Sequence, residues 1–410
     1  MTEHIKTPEL RFSNFLDMWH IHKLSDVATI TGGGTPSTKV SEYWDGEIDW
    51  YTPNEIGERI YARGSKKKIT NLGYKKSSTK LLPINTILFT SRAGIGNTAI
   101  LAKEGCTNQG FQSIIPNSEK IDSYFIYTIS NHIKKYALKH AAGSTFLEIS
   151  GKELGKMKLF LPSLTEQQKI GVFFSKLDQQ IELEEKKLEL LEQQKKGYMQ
   201  KIFSQELRFK DENGNKYPKW TNTLIKDLFI NKGGTALEKE FENNGDYKVI
   251  SIGSYSMNST YNDQNLRINK NEKTEKYILS QGDLAMVLND KTKDGNIIGR
   301  SIFIDKDNHY IYNQRTERLI PLSENDNKFL WFLMNTDIVR NKIKSMMQGA
   351  TQVYINYSSI KNISLQIPSF EEQIKIREFL EVLLHSITKQ DNKVKLLKQR
   401  KQGLLQKMFV

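Results

Sequence analysis

Residues 143–203 contain GSTFLEIS at 143–150, LPSLTEQQKI at 161–170 and KKGYMQKIF at 195–203. Residues 349–409 contain GATQVYIN, IPSFEEQIKI and KQGLLQKMF at the same offsets. Aligned without gaps, about 22 of about 61 positions are identical, so the chain carries an internal duplication. The starts of the halves match more loosely. Glu9-Leu10-Arg11-Phe12 precedes Trp19 and Gly32-Gly33-Gly34, while Glu206-Leu207-Arg208-Phe209 precedes Trp220 and Gly233-Gly234. Two half-proteins of roughly 200 residues in tandem follow from this.

The end of each half decides the architecture. After Pro162, apolar residues fall at Ile170, Phe174, Leu177, Ile181, Leu188, Leu191, Tyr198 and Ile202. After Pro368 they fall at Ile376, Leu380, Leu383, Ile387, Val394, Leu397, Leu404 and Met408. Alternating gaps of three and four make a narrow apolar seam of the kind one helix buries against another. The remaining faces are rich in Glu, Lys and Gln and belong in water. Each helix is expected to run roughly 40 residues, or roughly 60 Å. Glu166 and Glu372 stand near the helix starts, where a carboxylate favours the macrodipole. Two seams of this length in one chain are expected to pair with each other. A pseudo-twofold relation between the halves makes the pair antiparallel. The alternative is that each helix packs only on its own domain.

Ahead of each helix lies a mixed region of short strand-like runs between Gly, Asn and Thr turns. Ile87-Leu88-Phe89-Thr90 and 97–101 in the first half answer to 284–288 and 298–304 in the second, and helical stretches follow near 121–140 and 327–347. The expected fold is α+β: two tandem mixed α/β domains with two long antiparallel coiled-coil helices and a pseudo-twofold internal repeat. The segments are 1–162 and 206–367 for the mixed domains, and 163–205 and 368–410 for the helices.

The chain has 410 residues and a formal net charge of +13. A surplus of that size suits a polyanionic partner such as nucleic acid; it also fits a Lys-rich soluble protein with no such partner. Cys106 is the only cysteine, so an intrachain disulfide and multi-thiolate zinc sites are excluded. The N-terminal stretch is polar and lacks a signal-peptide core, and no apolar run is long enough to span a bilayer. A cytoplasmic location without a membrane role is expected.

The parts of an enzyme are missing from the sequence. The seven histidines His4, His20, His22, His132, His140, His309 and His385 show no metal-ligand spacing. There is no phosphate-cradling P-loop, no dinucleotide fingerprint around Gly94-Ile95-Gly96 or Gly32-Gly33-Gly34, and no Asn-Pro-Pro-Tyr motif of amino-methyltransferases. No catalytic residue, metal site or bound cofactor is assigned to this chain. What remains is a set of hydrogen-bonding and basic groups on loops. In the first half these are Thr35, Ser37, Lys39, Tyr43, Thr52, Asn54, Arg92, Asn97, Asn108 and Gln109. In the second they are Lys232, Asn289, Lys291, Lys293, Arg300, Asn313, Gln314 and Arg315. Asn and Gln suit adenine and Arg or Lys suit guanine, while Lys, Ser and Thr more often hold phosphates. Trp44 and Trp50 fit a supporting role better than base reading. Asn108 and Asn313 also fit turn caps.

Several features resemble the specificity subunits of Type I restriction–modification systems. They are the tandem layout, Glu166-Gln167 and Glu372-Gln373, Gly33-Gly34-Thr35-Pro36-Ser37, Tyr43-Trp44 with Trp50-Tyr51-Thr52, and Thr107-Asn108-Gln109-Gly110-Phe111. The resemblance covers essentially the whole chain. It implies that the mixed regions are target recognition domains and that the helices are spacers. It implies double-stranded DNA as a partner, together with two modification subunits and two restriction subunits. S-adenosylmethionine for adenine N6 methylation and ATP with magnesium would sit on those partners. It further implies an asymmetric bipartite target with the helices setting its gap. The second half departs from the first, with Gly233-Gly234-Thr235-Ala236-Leu237 and Asn313-Gln314-Arg315, so the two domains are expected to read different half-sites. A solitary nuclease–methyltransferase and a coiled-coil scaffold without DNA remain as alternatives.

Overall fold

Helices form over Leu164–Phe203 and Phe370–Lys407 because both stretches are rich in Leu, Glu, Lys and Gln and hold no internal proline. Each starts two residues after a proline, which biases the residue before it away from helical backbone. The computed structural model that shows this describes residues 5–92, 94–143 and 147–410. His4 and the Ser-Thr-Phe of GSTFLEIS lie outside the described residues.

The chain forms two compact units. One comprises residues up to 186 together with 391–410, and the other comprises 187–390. In the first unit the central sheet has the order Ala28–Gly32, Gln112–Pro116, Ile87–Phe89, Thr98–Leu101, Tyr61–Ala62. It is antiparallel except for the last pair. Every residue of Ile87–Phe89 and Thr98–Leu101 is buried, which is why these strands read as unbroken runs rather than alternation. A smaller sheet joins Lys67–Ile69, Trp44–Tyr51 and Cys106–Thr107, the last two parallel. Helix Ser123–Thr128 packs on the central strands. Trp19–Lys23 pairs with Lys158–Leu161 and delivers the chain to the long helix.

The second unit repeats this plan. Its central sheet runs Phe229–Gly233, Thr316–Pro321, Leu284–Val287, Ser301–Phe303, all antiparallel. In its smaller sheet Tyr247–Ile250 lies parallel to Tyr310–Tyr312, matching the parallel pair of the first unit. Thr221–Leu224 with Ser364–Ile367 matches the delivering strand pair.

Each unit takes the start of one long helix and the end of the other. In the first unit Ile170 and Phe174 are buried beside Met408 and Phe409. The Phe409 ring lies 5.4 Å from Phe125, 6.0 Å from Phe174 and 6.2 Å from Trp19. In the second unit Ile376 and Leu380 are buried beside Ile202 and Phe203, and Phe203 lies 5.8 Å from Phe329. The helices therefore pair antiparallel within each unit. Lys401, Lys398 and Lys393 reach Asp178, Glu185 and Glu184 at 2.5 Å each in the first. In the second, Tyr198 stacks edge-on against Phe379 at 5.0 Å. Of the seam residues, Ile170, Phe174, Ile181, Ile376, Leu380 and Val394 are buried. Leu177, Leu188, Leu191, Leu383, Ile387 and Leu397 are half-buried. The expected pairing of the helices is present in each unit, and the helix ends also enter the domain cores.

A buried ion pair fixes each helix start. Glu166 is fully buried and its two oxygens accept from Nε and Nη2 of Arg11, both at 2.7 Å. Glu372 accepts from Arg208 at 3.1 and 2.5 Å and from Trp220 Nε1 at 3.0 Å. The next residue is a second clasp. Gln167 accepts from the Asp122 backbone N–H and donates to the Pro162 and Lys120 carbonyls, and Gln373 accepts from Asp326 N–H and donates to the Pro368 carbonyl and Asn325. The glutamates do lie in the first helical turn, yet their main partners are guanidiniums, which the sequence reading did not assign.

Two outcomes follow. Phe409→Ala is expected to cost about 3 kcal/mol in the first unit. Hydrogen exchange should lose protection around 19–174 and leave 220–367 unchanged. Glu372→Ala strands a guanidinium and is expected to cost about 3 kcal/mol in denaturant unfolding. The joint change of Arg208 to Met and Glu372 to Leu should cost less.

Candidate nucleic-acid interface

The glycine pairs and the Asn-Gln turns, far apart in sequence, touch each other in both units. Gly34 N–H donates to the Thr107 carbonyl at 2.9 Å. A Cβ on Gly33 would lie 2.2 Å from the Asn108 and Thr107 oxygens, so only glycine lets the strands approach this closely. In the second unit Gly234 N–H donates to the Thr316 carbonyl at 2.9 Å, and a Cβ there would meet the Asn313 oxygen at 2.2 Å.

Around this crossing the first unit gathers most of its candidates. Thr35 Oγ1 donates to Gln109 Oε1 at 2.5 Å. Asn108 N–H donates to the Tyr51 carbonyl, and its Oδ1 accepts from Gly110 N–H at 2.8 Å, a turn cap. Thr52 caps the turn Pro53–Glu55 through Glu55, and its hydroxyl donates to the exposed Asn54 at 2.5 Å. Ser91 N–H donates to the Gly110 carbonyl, which brings the next residue, Arg92, to the same edge; its guanidinium stands 4.0 Å from Glu148. Asn97 N–H is held by Thr90 Oγ1 at 2.9 Å. Ser37 and Lys39 are exposed on the following turn, and Tyr43 is half-buried against Gly73. Trp50 is buried with its Nε1 on the Gly34 carbonyl, and Trp44 meets it edge-on at 5.0 Å and donates to the Ser37 carbonyl. Both tryptophans therefore brace the loops.

The second unit builds the same crossing with different chemistry. Asn313 is buried, its Oδ1 accepting from Leu237 N–H and its Nδ2 donating to Glu238, both at 2.9 Å. Its oxygen and nitrogen both bond inside the fold, which fits the turn-capping reading of Asn313 better than the reading as a base contact. Gln314 Nε2 also donates to Glu238, at 2.7 Å. Those bonds, the one from Asn313 foremost, hold the Glu238 carboxyl below its usual range. Arg315 is exposed and adopts a left-handed φ of 68°, an uncommon state for a residue with a Cβ. Lys232 donates to the Lys276 carbonyl at 2.7 Å and lies over the Tyr277 ring. Asn289 pairs with Tyr354 in a short strand. Lys291 and Lys293 are exposed on the loop that follows, and Arg300 is half-buried at its end.

His20 and His22 are exposed on Trp19–Lys23. Among the described residues no three His, Cys, Asp or Glu side chains converge as a metal site would require, and no helix is long and apolar enough to cross a membrane.

A doubled mixed domain, each copy closed by the end of a long helix and presenting a braced polar loop cluster, defines a two-site recognition protein. The chain belongs to the family described as Type I restriction modification DNA specificity domain, which it matches twice, over residues 17–193 and 217–397. It is 36% identical over 239 residues to the Type I restriction enzyme MjaIX specificity subunit of Methanocaldococcus jannaschii. That match covers 55% of each chain, so it spans about half the length of this relative. It is 23% identical to the MjaVIII specificity subunit of the same organism, over 94% of this chain and 89% of that one. The crystal structure of the Type I restriction–modification S subunit from M. genitalium shares the fold, with a TM-score of 0.62 at 14% identity over 99% of both chains.

Gln109→Ala and Arg92→Ala are expected to weaken binding to the chain's own target duplex more than to a random duplex. Asn313→Ala should weaken both alike and cost about 1–2 kcal/mol of stability, because Leu237 N–H and Glu238 lose their partner. Parallel equilibrium titrations with the two duplexes, and a melt of each variant, check this.

Proposed function

We propose that this chain is the DNA-specificity subunit of a Type I restriction–modification complex and performs no chemistry itself. Each unit reads one half of an asymmetric bipartite duplex. The helices dock two modification subunits, which carry S-adenosylmethionine and methylate adenine N6. Two restriction subunits with ATP and magnesium complete a cleaving complex, and the whole works in the cytoplasm. The observation that carries this reading is the repeated loop crossing. One scaffold holds Thr35 with Gln109 in the first unit and Glu238 with Gln314 and Arg315 in the second. Similar frames with unlike side chains are what two unlike half-sites require. The net charge of +13 supplies the sequence-independent attraction to phosphates.

Sequencing the methylome of cells that carry this chain with its modification subunit tests the reading. It should show one bipartite motif, with half-sites centred roughly one helical turn, about 10 base pairs, apart. The purified chain with DNA, magnesium, ATP and S-adenosylmethionine should neither methylate nor cut; activity of the lone chain sinks the proposal.

The same assay tests the helices as a ruler. Four residues added to each helix, between Leu177 and Leu191 and between Leu383 and Leu397, lengthen it by about 6 Å. The gap should change by one or two base pairs at about 3.4 Å each, with the half-site sequences unchanged. Altered half-sites with an unchanged gap would show that the helices do not set the spacing.

A further inference from the structure

Two guanidinium groups of the second unit converge on one backbone carbonyl. Arg340, on helix Asp337–Lys344, is 7% exposed, and its Nη2 donates to the Asn296 carbonyl at 2.8 Å and the Ile298 carbonyl at 3.4 Å. Arg300, just before Ser301–Phe303, donates Nε to the same Asn296 carbonyl at 3.2 Å and Nη1 to Ser259 Oγ at 3.1 Å. Among the described residues neither arginine makes an ion pair, and Arg340 Nε is buried with no acceptor. The nearby carboxylates Asp290 and Asp337 favour the charged arginines through space but bond to other groups. Asp290 accepts from Thr292 N–H, Thr292 Oγ1 and Ile297 N–H, and Asp337 lies 3.7 Å from Lys196. Burial and the neighbouring Arg300 push Arg340 down to about 10.

A buried guanidinium beside a half-buried one is costly unless an anion meets them, and here the direct partners are only the Asn296 and Ile298 carbonyls and the Ser259 hydroxyl, with Asp290 and Asp337 acting from a distance. The arrangement is also rigid. Ser259 holds a left-handed φ of 60° and donates to Asn335 Oδ1 at 2.7 Å, and the same Oδ1 accepts from Ser301 N–H at 3.1 Å. Asp290 ties both ends of the 290–297 loop, whose Lys291 and Lys293 are exposed. Planar guanidiniums with spare donors match the oxygens of a phosphate in shape and charge.

We propose that Arg300 and Arg340 form a seat for one phosphate group, filled by a phosphodiester of the DNA backbone when the second unit engages its half-site. The DNA source rests on the function proposed above; the seat for a phosphate oxyanion does not. In the first unit Asn97 precedes Thr98–Leu101 as Arg300 precedes Ser301–Phe303, and Lys134 stands at the repeat offset of Arg340. That unit has a single flexible cation where the second has a fixed pair, so the seat belongs to the second unit.

The full chain and its Arg300→Gln, Arg300→Lys and Arg340→Lys variants decide the matter, each shown to be folded by circular dichroism. Random-sequence duplex is titrated over a range of salt. Arg300→Gln should bind about 5-fold more weakly, with the log–log salt slope shallower by about 1, and Arg300→Lys should recover part of the affinity. Inorganic phosphate should raise the melting temperature of the wild type above that in chloride of equal ionic strength. Arg300→Gln should lose that gain, and Arg340→Lys should reduce it. An unchanged slope together with an unchanged phosphate effect overturns the seat and leaves the DNA reading standing. A loss confined to one specific target, with random-duplex binding intact, overturns it in favour of base reading. A wild type that is stabilised by phosphate through Arg300 yet binds no duplex keeps the seat and removes DNA as its source.

Discussion

The direction in which each long helix leaves its domain depends on one buried carboxylate. Glu166 and Glu372 have no exposed surface, and each is gripped by an arginine that lies more than 150 residues away along the chain, in the segment that opens its half. Because the guanidinium and carboxylate planes meet through two bonds, the contact fixes orientation as well as distance. A pair of well-packed apolar side chains would hold the same place with no desolvation cost, but without that directional demand. The clasp from Gln167 or Gln373 adds a second fixed point one residue on, tying the helix to the start of Ser123–Thr128 or Asn327–Met334. The two adjacent residues together hold the helix start in both position and rotation.

The duplication also shows where equivalent positions are free to change. Gly171 lacks a side chain where the Asp122 carboxylate comes close, and a Cβ there would lie 2.6 Å from it. At the same repeat position the second unit has Arg377, whose Nε stands 3.2 Å from Asp326. One unit admits the capping aspartate by removing atoms and the other by pairing charge. Both leave the helix cap intact: Asp122 and Asp326 each accept from the backbone N–H three residues on. The frame is thus defined by function of position rather than by residue identity, and this is how about one-third identity between the repeats sustains one plan.

The sequence made the periodic parts of the fold legible and left the through-space parts hidden. The three–four seam announced both helices, because helical period is a local property. Ile87–Phe89, Thr98–Leu101, Leu284–Val287 and Ser301–Phe303 were legible as short apolar runs for the same reason. The partners of Glu166 and Glu372 were not, since a carboxylate near a helix start already satisfies a local rule and gives no sign that an arginine is needed. The repeated Glu-Leu-Arg-Phe, present once per half, was the available clue. At the loops, Gly33-Gly34 and Asn108-Gln109 were legible as motifs, but their contact with each other was not. Asn313 shows the limit most clearly: its type suits both base reading and a turn cap, and its burial against Leu237 and Glu238 favours the second.

That assignment bears on how a recognition loop can vary without unfolding its support. In the first unit the turn amide Gln109 faces a neutral hydroxyl, Thr35; in the second, Gln314 faces the carboxylate of Glu238, which Asn313 holds from inside. An acid at this edge would repel phosphate if it were free. Hydrogen bonds from Asn313 and Gln314, with Arg315 adjacent, spread its charge and hold it ionised in a fixed orientation, where it accepts rather than donates. A fixed acceptor suits the exocyclic amino group of a base, whereas the hydroxyl–amide pair of the first unit offers both donor and acceptor. The two units therefore differ in the side chains laid over the crossing, while the close approach of Gly33 to the Asn108 carbonyl and of Gly234 to the Asn313 carbonyl beneath them stays the same.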